Sequence, residues 1–282
     1  MKKQAGFHTR RNDCLLTFFL LIYAFSWAFF VAIAVASPGP SSRVQGSGSL
    51  HDLLYLPGVF APAFAALALT ARAEGRIGVV ELLRGITKWQ VGARWYVFAI
   101  FYMAAIKLAT ALLYRLSTGN WPQFARIPFV LMLATTIIST PVQAGEEIGW
   151  RGYALPRLTN RFGLGTASIL LGLIWACWHL PFFFIPGSDN VGQSFPVYLL
   201  AVTAISVAMA WIYWRTNGSL LLVMLMHAAM DNTAALVTSP TPATVANPFA
   251  LPQSPLPWFT TILLWICAAY FLLQMRKEKL RC

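Results

Sequence analysis

The feature that most limits what this chain can become is the recurrence of apolar runs about twenty residues long. The first extends from Cys14 to Ala36, and others cover roughly 53–71, 95–116, 128–147, 166–185, 196–214, 219–238 and 258–275. Each approaches the ~20 residues an α-helix needs to cross a ~30 Å hydrocarbon core. None shows the period-two alternation of a membrane barrel, so helices are the spanning form that satisfies every backbone polar group. Composition agrees: 58% of the residues are hydrophobic and 11% charged, where soluble domains carry about 25% charge. The expected fold class is all-α, a polytopic transmembrane helix bundle of about eight spans.

Charge sets the expected orientation. The net charge is +12, but the basic residues form short clusters between apolar runs and no stripe or tail, which argues for topology signals and against a nucleic-acid partner. Of the 21 Lys and Arg, 17 fall in alternate connectors and tails, among them Lys2, Arg11, Arg72, Lys88, Arg157, Arg215 and Lys277. Both termini are therefore expected in the cytoplasm, in a multi-pass protein of the bacterial inner (plasma) membrane type. Ala34-Val35-Ala36-Ser37 resembles a signal-peptidase site, yet the run before it exceeds the usual ~7–15 residues, and a retained first helix is expected. The domain reading is a cytoplasmic tail 1–13, a single transmembrane helical domain 14–275 with the polar motifs in 140–235, and a basic cytoplasmic tail 276–282. The connector 72–94 places Val79, Leu82, Leu83 and Ile86 on one face, as an amphipathic interfacial helix would. The loop 239–257, with six prolines and no charge, is expected to be a non-helical cap. Cys14, Cys177, Cys267 and Cys282 have neither disulfide nor metal spacing.

Ionisable groups inside spans are costly, and they mark function more often than packing. Lys107 stands alone and reads as a snorkelling residue. Three other segments concentrate charge: Glu146, Glu147 and Arg151; His179, four after Trp175; and His227 with Asp231. On a helix Glu147 and Arg151 share a face and form an ion pair, whereas Glu146 points about 100° away and keeps no such partner. His227 and Asp231 are one turn apart, a spacing that suits an imidazole oriented by a carboxylate. From the residues alone two chemistries stay open. One is a divalent metal site, since His and carboxylate ligate Zn²⁺; the other is acid–base hydrolysis, with a carboxylate activating water.

Glu146-Glu147-x-x-x-Arg151, Trp175-x-x-x-His179 and His227-x-x-x-Asp231, in this order and in consecutive late spans, resemble the three motifs of the CPBP family over roughly residues 125–240. That family includes CAAX prenyl proteases of the Rce type and bacteriocin-processing and self-immunity (Abi-like) proteins. The resemblance implies an intramembrane endopeptidase, a CAAX prenyl protease 2-like hydrolase acting on membrane-associated, prenylated CAAX-type peptides or proteins. In that reading Glu146 is the general base, His179 helps activate water, His227 and Asp231 line the oxyanion side, Glu147 with Arg151 is the supporting pair, and Trp175 packs behind them. Trp175 replaces the family's usual Phe, and Asp231 stands where Asn is as common. No metal is expected, with Zn²⁺ as the alternative cofactor. Rival readings are a non-catalytic immunity or scaffold protein of the same fold, and a transporter or channel using the same polar groups. The chain has no His-Glu-x-x-His, Gly-x-Gly-Asp or Gly-x-Ser-Gly motif, which disfavours the other intramembrane protease classes. Oligomeric state is not legible.

One geometric requirement accompanies this reading. With span four ending near 147, Glu146 sits at the cytoplasmic end of its helix and His179 roughly 20 Å deeper. A single site therefore requires a shifted or tilted span four, a later start of span five, or a break at Pro181 or Pro141, and the cavity is expected to open toward the cytoplasm.

Overall fold

The computed structural model describes residues 14–36, 50–238 and 247–279. The expected tails 1–13 and 280–282, and residues 239–246 of the proline-rich loop, lie outside them. Helices dominate: α1 (Leu15–Ala36), α2 (Leu50–Arg84), α3 (Ala93–Thr118), α4 (Phe129–Ser139), α5 (Ala144–Glu147), α6 (Leu155–Phe162), α7 (Leu164–Trp178), α8 (Phe195–Arg215), α9 (Leu220–Thr233) and α10 (Pro255–Lys279). The protein is an all-α bundle, with one small addition. Strands β1 (Gln123–Phe124) and β2 (Val237–Thr238) pair antiparallel, Gln123 opposite Thr238, and clip the α3–α4 link to the segment after α9.

Among the described residues, six helices are long and apolar enough to cross a membrane: α1, α2, α3, α7 with the turn after it, α8 and α10. The two remaining expected spans are the ones the sequence misjudges. Span 128–147 is no straight rod. Pro141 lacks the donor a helix requires, so α4 stops at Ser139 and a 3₁₀ turn, Thr140–Gln143, intervenes. Helical winding then continues through α5, a π-helical stretch Ile148–Ala154 and α6 to Phe162, where a connecting loop is expected from the charges. Span 219–238 is likewise only 14 residues of helix, ending at Thr233.

The first helix is part of the core. Phe18, Ile22, Phe30 and Ile33 of α1 are buried, the Tyr23 hydroxyl donates to the Ile174 carbonyl (2.5 Å), and Trp27 Nε1 donates to the Trp178 carbonyl (3.0 Å). Helix α2 breaks at Gly75, whose φ of 66° suits glycine alone among common residues. Past that break Leu82 and Leu83, with Ile86 beyond the helix end, pack on the core and Glu81 and Arg84 face out, the amphipathic arrangement expected for this connector; helix ends at Arg84, and 85–92 is irregular. The described part of the proline-rich loop is 247–257; residues 247–254 are non-helical as expected, but 255–257, with Pro255 and Pro257, already form the first turn of α10, where a proline's missing donor is tolerated. Lipid provides no hydrophobic force between helices, so small residues and hydroxyls set the contacts. Ser206 Oγ donates to the Ser168 carbonyl (3.0 Å) between α7 and α8, and Thr110 and Thr260 share a hydrogen bond (3.2 Å) between α3 and α10.

Candidate active site

The continuation of helix to Phe162 resolves the depth problem. Glu146 now stands about 24 Å along the chain from the α6–α7 turn, and His179, the C-cap of α7, about 22 Å from that turn on the return strand. The two are level. Pro181 heads a 3₁₀ turn, Leu180–Phe184, that stops α7 just after His179. Pro141 and Pro181, named as candidate breaks, both lie in 3₁₀ turns. Arg151 is consequently not a loop charge but a fully buried residue of the bundle.

Glycines bring the glutamate pair this deep. Gly149 presses on α2 so closely that a Cβ there would stand 2.5 Å from Pro62 Cβ and 2.7 Å from its carbonyl carbon. Gly145, one turn earlier, faces the Phe60 ring in the same way, giving the small-x-x-x-small contact by which membrane helices approach each other. The π-helical stretch follows directly, and wide turns of this kind recur at functional sites.

Four of the expected residues form one buried network. Arg151 Nη1 donates to both oxygens of Glu147 (2.7 and 3.0 Å), and all three groups are withdrawn from solvent. The guanidinium carbon lies 4.2 Å from the Trp175 ring centroid, so the aromatic face meets the cation where Nε and Nη2 have no hydrogen bond among the described residues. Glu147 Oε1 also accepts from His227 Nδ1 at 2.8 Å. Asp231, expected to orient His227, lies 3.8 Å from Nε2, beyond hydrogen-bond reach, and accepts instead from Gln143 Nε2 at 2.9 Å. The orienting carboxylate of His227 is thus Glu147, on another helix.

Trp175 is the hub. Its Nε1 donates to Glu146 Oε2 at 2.8 Å, fixing one oxygen of a carboxylate only 6% exposed. Its ring meets His227 edge-on (5.2 Å between centroids) and His179 likewise (5.6 Å). His179 Nδ1 lies 2.9 Å from the Trp175 carbonyl, which can only accept, so Nδ1 carries the proton. Both imidazoles therefore have Nδ1 committed to an acceptor and Nε2 left to present. The residues named from sequence, Glu146, Glu147, Arg151, Trp175, His179, His227 and Asp231, gather at one place.

The site is open on one flank. Asp231 has 56% of its side chain exposed, while His227 has 5% and Glu147 none. The Tyr198 ring lies 5.9 Å from that of His179. This flank is at the C-terminal end of α9, away from the cation-rich turns 85–92 and 215–219. Toward the α6–α7 turn, Trp150, Tyr153 and Leu155 are buried.

Residues 126–233 match the family described as type II CAAX prenyl endopeptidase, Rce1-like. This segment is an Rce1-like domain. A curated relative, CAAX prenyl protease 2 of Methanococcus maripaludis, is 25% identical over 197 residues, covering 63% of this chain and 70% of its own length. With its apolar helices, the chain is an integral multi-pass membrane protein.

Sequence reasoning missed Gln143, Gly145 and Gly149 within the Rce1-like domain, as well as Tyr198. A glutamine in an apolar Thr-Pro-Val-Gln turn and a Gly-x-x-x-Gly flanking two glutamates were the available signals. Zn²⁺ needs at least three converging donors, and among the described residues no three His, Cys, Asp or Glu side chains gather so. Glu147 is already held by Arg151 and His227. Among the described residues the donor set does not fit a metal centre.

Proposed function

We propose that this chain is an intramembrane endopeptidase that hydrolyses peptide bonds of membrane-associated, prenylated CAAX-type substrates. Its family supports a membrane CAAX protease in broad terms. The observation that carries the finer reading is Glu146: a buried carboxylate with one oxygen held by Trp175 and the other left for a proton, beside two histidines whose Nε2 atoms are uncommitted. Glu146 takes a proton from a water that His179 Nε2 orients, and the oxygen attacks the scissile carbonyl carbon. The oxyanion that forms is met by His227 in its doubly protonated form, Nε2–H donating, with Glu147 steadying the ring from behind. Glu146 then passes its proton to the departing nitrogen, the C–N bond breaks, and a carboxylate and an amine remain. Asp231, held by Gln143, sits at the mouth and borders the path of entry between α4 and α9. Helix α4 exposes Val130, Leu131, Ile137 and Ile138, and a lipid anchor approaching along this face stays in hydrocarbon. By its loop charges the chain lies in a bacterial inner membrane with both termini cytoplasmic, as one transmembrane domain over 14–275.

The test is the full-length protein in proteoliposomes with a farnesylated CaaX peptide and its non-prenylated counterpart. Glu146→Gln is expected to lower the cleavage rate by about 10²–10⁴-fold while insertion and thermal stability persist. Undiminished cleavage by this variant removes the assigned base. Cleavage of neither peptide by the wild type favours the non-catalytic reading.

A further inference from the structure

We propose that Asp231 is a specificity residue of this site and selects substrates with a lysine or arginine just on the N-terminal side of the scissile bond. The inference rests on the hydrolytic reading above and adds to it the charge of the substrate.

Asp231 is held in place without being neutralised. Glu74 pairs with Arg157, Glu81 with Arg84 and Glu147 with Arg151, whereas among the described residues Asp231 has no Lys or Arg partner. Its Oδ2 accepts from the Gln143 amide at 2.9 Å, a neutral donor on a side chain only 8% exposed, and its Oδ1 accepts no hydrogen bond among the described residues. Asn232, next to it on α9, is neutral too and spends its amide on Ser139 Oγ and the Ala228 carbonyl. The clamp therefore fixes the carboxylate and preserves its charge at the mouth, where 56% of the side chain is exposed. A group presented from such a frame loses little freedom on pairing.

That charge does not serve the oxyanion. An ionised carboxylate only accepts hydrogen bonds, so Asp231 opposes the negative charge that develops beside His227 unless a cation covers it. His227 directs Nε2–H at the oxyanion and stands 3.8 Å from Oδ2. A cationic side chain brought by the substrate covers the carboxylate from the open side and removes the repulsion.

Distance sets how near the scissile bond that side chain lies. An oxyanion bound by Nε2–H is about 3 Å beyond the nitrogen, which leaves Oδ2 within about 7 Å of it, the reach of a residue one or two removed along an extended chain at about 3.5 Å each. The two ends of the site set the direction. The His179 ring is flanked by those of Trp178 (4.8 Å), Phe182 (5.8 Å) and Tyr198 (5.9 Å), an aromatic wall suited to aliphatic groups. A CAAX-type peptide carries its aliphatic residues and its free carboxylate at the C-terminal end. The aliphatic residues fit the aromatic wall, and the free carboxylate is repelled by Asp231, so the N-terminal side of the substrate passes Asp231.

The experiment uses full-length protein in proteoliposomes with three farnesylated CaaX peptides that differ only at the residue before the cysteine: lysine, norleucine or glutamate. Wild type is expected to cleave them with kcat/KM in that order, each step about three- to fivefold, the weight of a part-exposed ion pair, and high salt should shrink the steps. Asp231→Asn should bring the three peptides within about twofold of one another, whatever it does to the overall rate, and Asp231→Lys should reverse the order. If Asp231→Lys does not insert, the asparagine variant and the salt dependence decide. Glu81→Gln, an exposed position on α2, should leave the order intact. Binding of the same peptides to Glu146→Gln, read by fluorescence anisotropy, measures the order without cleavage. Absence of cleavage with the charge order kept in binding sinks the hydrolytic reading alone and upholds the selectivity. Equal treatment of the three peptides by wild type, or a lysine preference that persists in Asp231→Asn, overturns the proposal.

Discussion

Replacing Gly149 by alanine adds one methyl group at the tightest contact behind the glutamates. The new Cβ would lie 2.5 Å from Pro62 Cβ and 2.7 Å from its carbonyl carbon and oxygen, whereas carbon atoms rest at about 3.5–4.0 Å. Pro62 belongs to the backbone of α2 and has no rotamer to yield, so the two helices must separate by about 1 Å. Overpacking of this kind costs about 1–3 kcal/mol of stability. Its larger effect is on geometry, because Glu146 and Glu147 ride on the displaced turn, and a 1 Å misplacement costs about 10²-fold in rate. Two neighbours serve as internal standards. A Cβ at Gly145 meets the Phe60 ring at 2.9 Å, and one at Gly152 meets Leu82 Cδ1 at 2.9 Å and Leu220 Cδ1 at 3.3 Å, all on side chains that can turn aside. Cleavage rates in proteoliposomes and thermal unfolding of the three alanine variants should rank Gly149 as the most damaged and Gly152 as the least. If Gly149→Ala stays within twofold of wild type, or Gly152→Ala is the worst of the three, the close contact is not what positions the glutamates.

Other expectations follow from the same network. Arg151→Leu leaves the buried Glu147 carboxylate without its cation and should destabilise the protein by about 3–5 kcal/mol in chemical unfolding; a loss below 1 kcal/mol would contradict the burial. Trp175→Phe keeps the ring between the histidines but removes the donor to Glu146, and kcat should fall about 10- to 100-fold with KM little changed, the weight of a hydrogen bond to a charged group. A pure KM effect would place Trp175 in substrate binding instead. Prolonged chelation should leave the cleavage rate within twofold of its starting value; recovery of lost activity by added Zn²⁺ would refute the metal-free mechanism.

The sequence made some of this site readable and hid the rest for physical reasons. The Glu147–Arg151 pair follows from one-turn spacing, which any helix imposes. His227 and Asp231 have the same spacing, yet Nδ1 reaches Glu147 of another helix at 2.8 Å while Asp231, held by Gln143, stays 3.8 Å from Nε2. Spacing within one helix cannot reveal such a competition. Arg151, Arg157 and Arg161 look like a loop and truncate the expected span, but Arg151 is neutralised inside the bundle, and Arg157 is 3.0 Å from Glu74 with its guanidinium over Tyr153. Partners supplied by other helices turn apparent loop charges into helix. Pro141 and Pro181 were legible as breaks, since a missing donor acts locally.

The shortness of α4 and α9 has a consequence for the bilayer. Their 11 and 14 residues rise about 16 and 21 Å, against a hydrocarbon thickness of about 30 Å. Helical winding after α4 continues to Phe162, so the mismatch falls at α9, and a short element of this kind is accommodated by local thinning of the bilayer, here on the flank of exposed Asp231. The proposed hydrolysis needs water at a depth where lipid excludes it. If the proposed reading holds, cleavage is expected to depend on acyl-chain length as well as on side chains.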